Sequence, residues 1–211
     1  MVKRYTIAKE SVFADCWITP ETYEGVFERL EQFLSPFFKD IFTRMQQEKS
    51  VAYTKGLLSN SEKKNVESIA YCHGQDRQPL QIFIGQVEWN DDVILDELAD
   101  QVATEIGIAD GILLIDPTSL PKKGKKSVGV QRQWCGRLGK VDNCQVAIFI
   151  AYVAGSHFTL VDRELYLPKE WTDDPERCRA AGVPDDRIVE KTRHEHALAM
   201  LQGRCKKFRH K

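Results

Sequence analysis

The chain has 211 residues, 42% of them hydrophobic and 29% charged, and its 30 Lys and Arg nearly balance 31 Asp and Glu. This is ordinary globular composition, enough for one full core or two small ones. A membrane span needs about 18 continuous apolar residues, whereas the longest run, Val146 to Ala154, has nine, so no membrane partner is expected.

In chain order, Thr19-Pro20 reads as a helix cap with proline at the first helical position. Tyr23, Val26, Phe27, Leu30, Phe33 and Leu34 then recur at helical spacing until Pro36. A second helix is expected around Phe37, Phe38, Ile41, Phe42 and Met45. The Ser59-x-x-Glu62 capping box predicts a third, through Val66, Ile69 and Ala70 to Gly74. Asn90-Asp91-Asp92 places a cap and two acids ahead of Ile94, Leu95, Leu98, Val102 and Ile106, closing at Gly107.

From there the period changes to that of strands. Gly111 to Ile115 is a short apolar run ending in Asp116, the pattern of a buried strand with a carboxylate at its C-terminal tip. Gln145 to Val153 and Phe158 to Leu167, joined by Gly155-Ser156, predict an antiparallel hairpin. Pro168, Pro175 and Pro184 punctuate a surface excursion with one short helix between Thr172 and Gly182. Thr192-x-x-Glu195 opens a last helix ending at Gly203. The expected fold class is α+β: a helical domain over residues 1–108, then an incomplete mixed sheet in β-β-β-α order over residues 109–211. The strand edge left by that order needs another strand or a partner to cover it.

The near-zero net charge hides a segregation. Glu88 to Asp116 holds nine carboxylates and no Lys or Arg. Pro117 to Val141 holds Lys122, Lys123, Lys125, Lys126, Arg132, Arg137 and Lys140 and no acid, and Gly203 to Lys211 adds Arg204, Lys206, Lys207, Arg209 and Lys211. Two basic segments in a neutral protein point to a polyanion met by a defined surface.

Other motifs fail on spacing. Gly124-Lys125-Lys126-Ser127 lacks the Gly-Lys-Ser/Thr order and the upstream glycine of a phosphate-binding loop. His194 and His196 are two residues apart and diverge on a helix, unlike the i, i+4 pair of a zinc site. The six cysteines form no CxxC pair and read as reduced thiols. The charged N-terminus, with Lys3, Arg4, Lys9, Glu10 and Asp15, has no secretory apolar segment, so a cytosolic location is expected.

The ungapped run from Ile115-Asp116-Pro117-Thr118 through Pro121-Lys122-Lys123-Gly124-Lys125-Lys126-Ser127 and Arg132-Gln133-Trp134-Cys135-Gly136-Arg137 to Gln145 resembles bacterial insertion-sequence transposases of the DDE superfamily. Further similarity lies in Gly56 to Ser59, Lys64 to Glu67, Leu167 to Trp171 and Cys178 to Pro184, spread over roughly residues 20–201. The resemblance implies a helical domain followed by a ribonuclease-H-like catalytic fold. In that fold two Asp and one Glu hold two Mg²⁺ ions for hydrolysis and strand transfer at transposon ends, and Asp116 matches the first Asp. The expected partner is DNA, with the seven cations from Lys122 to Lys140 on its phosphates, and possible further partners are a second copy or a full-length transposase.

Two departures stand out. Asp-Asp-Thr in the family is Asp116-Pro117-Thr118 here, and the strand bearing the second Asp, expected after the Thr192 helix, is not reached. The expectation is therefore an inactive fragment of a bacterial, nucleoid-associated transposase, with weak or absent Mg²⁺ binding. The alternative is a non-catalytic DNA-binding regulator of a full-length relative.

Overall fold

The computed structural model of the protein describes residues 24–39, 42–88 and 90–208. The chain divides into two compact units, up to Val93 and from Ile94 onward.

The first unit is helical: α1 (Val26–Phe38), α2 (Arg44–Leu58), α3 (Val66–Cys72) and α4 (Arg77–Gly85). The Thr19-Pro20 start lies outside the described residues. Pro36 does not end α1: the helix continues two residues past it, forgoing the one hydrogen bond a proline cannot donate, and Lys39 N–H closes on Ser35 O. Phe37 and Phe38 end that helix rather than begin the next, and buried Phe42 precedes the cap of α2. There Thr43 and Gln46 form a reciprocal capping box. Ser59 closes α2 instead of opening α3, which is capped by Asn65 accepting from Ser68 N–H at 2.8 Å. Helix α4, capped by Asp76, was not foreseen. Phe42, Ile69, Ala70, Leu80 and Phe83 form the core of this unit. Any side chain at Gly56 would collide with Ile69, so α2 and α3 meet where only glycine fits.

Helix α5 (Asp91–Glu105) leads into a sheet of β1 (Ile112–Pro121), β2 (Gln131–Cys135), β3 (Lys140–Ala154) and β4 (His157–Leu165). Long β3 is the centre, and every pairing is antiparallel. β1 lines one edge of β3 from Cys144 to Val153, while β2 and then β4 share the other edge. Short helices α6 (Lys169–Thr172) and α7 (Pro175–Ala180) follow, then α8 (Arg193–Phe208). The chain is α+β, with the β-β-β-α order of the first part of a ribonuclease-H-like fold and one extra strand, β2, inside the basic segment.

Alternation gives the sheet two faces. Ile148, Ile150, Tyr152 and Ala154 point inward, with Val161, against Leu98, Val102 and Ile106 of α5 and Ala197, Met200, Leu201 and Phe208 of α8. Periodicity marks α5 as one-sided but not what its apolar side meets; from Leu98 onward it is the sheet.

Helix α8 begins as its capping box predicts, with Thr192 N–H donating to Glu195 Oε2 at 2.7 Å and Glu195 N–H to Thr192 Oγ1 at 3.2 Å. It then runs five residues past Gly203, because its last turns are tied down from outside. Arg204, only 8% exposed, reaches Asp162 at 2.8 Å and Asp96 at 2.6 Å, and Lys207 reaches Asp100 at 2.7 Å. Burial works against the Arg204 charge, and the two carboxylates more than offset it, so its pKa is raised. The Phe208 ring stacks on Tyr152 at 4.5 Å. Two cations of the C-terminal basic segment, Arg204 and Lys207, thus answer the acidic helix α5 rather than a ligand.

Beneath Tyr166, the buried His196 places Nδ1 2.9 Å from Glu164 Oε1. The imidazole contact holds the Glu164 carboxyl below the usual glutamate range. A carboxyl whose folded pKa lies below its unfolded value of about 4.3 stabilises the fold above that pH and loses the contribution as pH falls through the folded value. Glu164→Gln should therefore lower the urea midpoint at pH 6, and the gap from the parent should close at more acid pH. A gap that persists unchanged into acid would show that the charge on Glu164 is not what matters.

Candidate nucleic-acid interface and the Asp116 strand

β1 extends through Pro117 and Pro121, so Asp116 sits in mid-strand, opposite Phe149, rather than at a strand tip. Both prolines read as breakers in sequence, yet among the described strands β1 pairs only with β3. An edge strand accommodates proline where the missing N–H faces away from the ladder.

Asp116 is exposed on the outer face of the sheet, in line with Ile112, Leu114 and Thr118. The two acids of β4 go the other way. Asp162 pairs in register with Ile150 and Glu164 with Ile148, both inward-facing, and they are held by Arg204 and His196 respectively. Along the four strands no other carboxylate shares the face of Asp116. Among the described residues no group of three His, Cys, Asp or Glu is placed to hold a metal ion. Two Mg²⁺ ions need several converging carboxylates, and the residues described do not fit such a pair.

The basic loop is better organised than its sequence implies. Asn143 Nδ2 donates to the carbonyls of Lys122 at 2.6 Å and Gly124 at 2.9 Å, and Lys122 N–H donates to Asn143 O at 2.9 Å. Gln145 Nε2 donates to Val128 O, and Arg177 Nη2 to Lys125 O at 3.3 Å. At its far end the loop dives into a small core of Val130, Leu167, Trp171 and Cys178. Trp171 is 1% exposed and donates Nε1–H to Val130 O at 2.9 Å, while Arg177 lies over its ring at 3.8 Å. Gly129 makes the turn at φ +72°, where a side chain would come within 2.7 Å of Tyr166 O. The backbone is fixed on one side while Lys122, Lys123, Lys125 and Lys126 all remain exposed.

Arg132 lies on β2 and Arg137 in the 3₁₀ turn Gly136–Leu138, both exposed. Lys140 opens β3 and is 2.9 Å from Asp142, whose carboxyl it holds below the usual range. The other six cations make no ion pair with a described residue. The structure therefore anchors the Lys122–Gly124 backbone on Asn143, sets Arg132 opposite Asn143, puts Arg137 at the adjoining hairpin tip and leaves Lys140 largely answered. Asp116 is eight β3 positions from the pairing partner of Trp134, about 27 Å along the strand. Sequence reasoning missed Asn143, Trp134, Trp171 and Arg177. The one signal for Trp134 was its spacing of two from Arg132, which puts both on one side of a strand.

A mostly exposed basic loop and, along the described strands, a single carboxylate on the outer face of an antiparallel sheet characterise this α+β domain. The family model of the DDE superfamily endonucleases matches residues 36–210, and the chain belongs to that family. It is also 31% identical over 137 residues to a probable transposase for insertion sequence element IS701 from Microchaete diplosiphon, a match covering 64% of this chain and 36% of the relative. The chain thus spans little more than a third of that relative's length. No solved structure matches it.

Proposed function

We propose that the chain is a DNA-holding part of an insertion-sequence transposase, gripping the phosphate backbone through Lys122, Lys123, Lys125, Lys126, Arg132 and Arg137. The observation that carries this reading is a set of six exposed cations on a pinned backbone, free of ion pairs with the described residues, in a member of the DDE superfamily endonucleases. Cations engaged in no ion pair can displace counterions from a polyanion even in a protein of net charge −1. Contacts of this kind position DNA without reading its sequence. A duplex laid from the hairpin tip to Asp116 would cover about eight base pairs at 3.4 Å each. Acting on DNA, the protein works in the bacterial cytoplasm at the nucleoid. Binding of a labelled duplex, followed by anisotropy across a salt series, tests the reading. Binding that weakens steeply with salt and hardly varies with sequence supports it, and no binding at low salt overturns it.

Asp116 is the residue we assign as the family's first metal ligand, and along the described strands it has no second carboxylate on its face. The 211-residue chain is therefore expected not to nick supercoiled DNA with Mg²⁺ or Mn²⁺. Nicking that disappears in Asp116→Ala would show that another carboxylate, or a second chain, completes the site. The isolation of Asp116 also favours a second reading, a non-catalytic DNA-binding regulator acting with a full-length transposase. Competition with that enzyme for transposon ends would support it.

A further inference from the structure

Trp134 is 57% exposed, while one residue on, Cys135 is fully buried. β2 places the indole on the outer face beside Arg132, two residues away, and opposite Val141, which is also exposed. The turn beyond it carries exposed Arg137 and Leu138. An aromatic ring in water is costly unless something covers it, and no carboxylate lies between Pro117 and Val141 to recruit a basic partner.

The platform under Trp134 is stiff. Cys135 and Cys144 pack beneath it with Val146, and Gly136 N–H donates to Ser119 Oγ on β1 at 3.2 Å. Arg193 Nη2 donates to Gln133 Oε1 at 3.0 Å, holding the intervening residue from the inner side. The side chain of Asn143, which carries the Lys122–Gly124 backbone, is two positions along β3 from Val141, about 7 Å away. Cations track a backbone and an aromatic face accepts a base, and the two together are how proteins hold unpaired nucleotides.

We infer that the β2–β3 hairpin is a stacking site for an unpaired DNA base: Trp134 covers the base, with Arg132 and Arg137 on the flanking phosphates. This rests on the DNA-binding reading above and goes beyond it, because lysine contacts alone do not distinguish paired from unpaired DNA. The charge around the ring selects the nucleic acid over a second copy of this chain, since two such hairpins would bring like charges together.

The test compares binding of a plain duplex with that of the same duplex carrying a short single-stranded end, for the parent chain, Trp134→Ala and Trp134→Phe. The parent is expected to prefer the single-stranded end. Trp134→Ala should lose about tenfold or more on that substrate, in the range of one stacked base, and far less on the plain duplex, so that the preference disappears, and Trp134→Phe should recover most of it. Unaltered preference in Trp134→Ala overturns the inference and leaves the duplex-binding reading standing. No DNA binding by the parent overturns both. Concentration-dependent self-association of the parent that Trp134→Ala abolishes, without any effect on DNA, would assign the ring to a second copy and overturn the inference as well. A circular dichroism spectrum matching the parent's confirms that each exposed-site variant is folded.

Discussion

Replacing Lys122, Lys123, Lys125 and Lys126 together by Ala is expected to turn a steeply salt-dependent DNA-binding protein into a weakly salt-dependent one. Each phosphate neutralised contributes about −0.9 to the slope of log K against log salt. With six cations engaged, affinity should fall about a thousandfold between roughly 50 and 200 mM salt, and with two left, only about tenfold. The fold should tolerate the change, because the loop is held through its carbonyls by Asn143 and through Val128 and Val130, not through lysine side chains. An unchanged slope would move the contact away from this loop.

Trp171→Ala is expected to carry the largest stability cost of any single change in the sheet unit, about 3–5 kcal/mol for a buried aromatic side chain. Three losses coincide there. The ring fills the small core with Val130, Leu167 and Cys178; its N–H satisfies the buried Val130 carbonyl; and its face supports the Arg177 guanidinium, which in turn holds Lys125 O. Trp171→Phe keeps most of the filling but strands that carbonyl, at a cost of about 1–3 kcal/mol. Urea unfolding measures both. A Trp171→Ala protein as stable as the parent would mean that this core does not anchor the loop.

What sequence conveyed well was local. The Thr192–Glu195 box starts α8 because both groups lie within one turn, and Gly155-Ser156 turns the β3–β4 hairpin because turn chemistry is a matter of adjacent residues. What it conveyed poorly depends on partners far along the chain. The extension of α8 past Gly203 rests on Arg204 meeting Asp96, 108 residues away, so local sequence reads only a helix stop at Gly203 and a basic segment beyond it.

β2 escaped notice because its outward residues are Arg132 and Trp134 and its inward ones Gln131, Gln133 and Cys135, a pattern that hides the usual apolar alternation. The candidate site was half legible. Asp116 and the cations were found as residue types. Which face Asp116 shares, and that Asp162 and Glu164 turn away from it, depend on strand register, which no single segment specifies.

In the proposed function the pinned loop and hairpin from Lys122 to Val141 form the DNA-holding surface. Hydrogen–deuterium exchange of the whole chain, with and without a saturating DNA duplex at low salt, tests it most directly. Slowed exchange is expected across Lys122 to Ser127 and Arg132 to Lys140, with α8 unaffected because Arg204 and Lys207 are already engaged. Protection confined to α8 or to the helices before Val93, with none in the loop or hairpin, would contradict it.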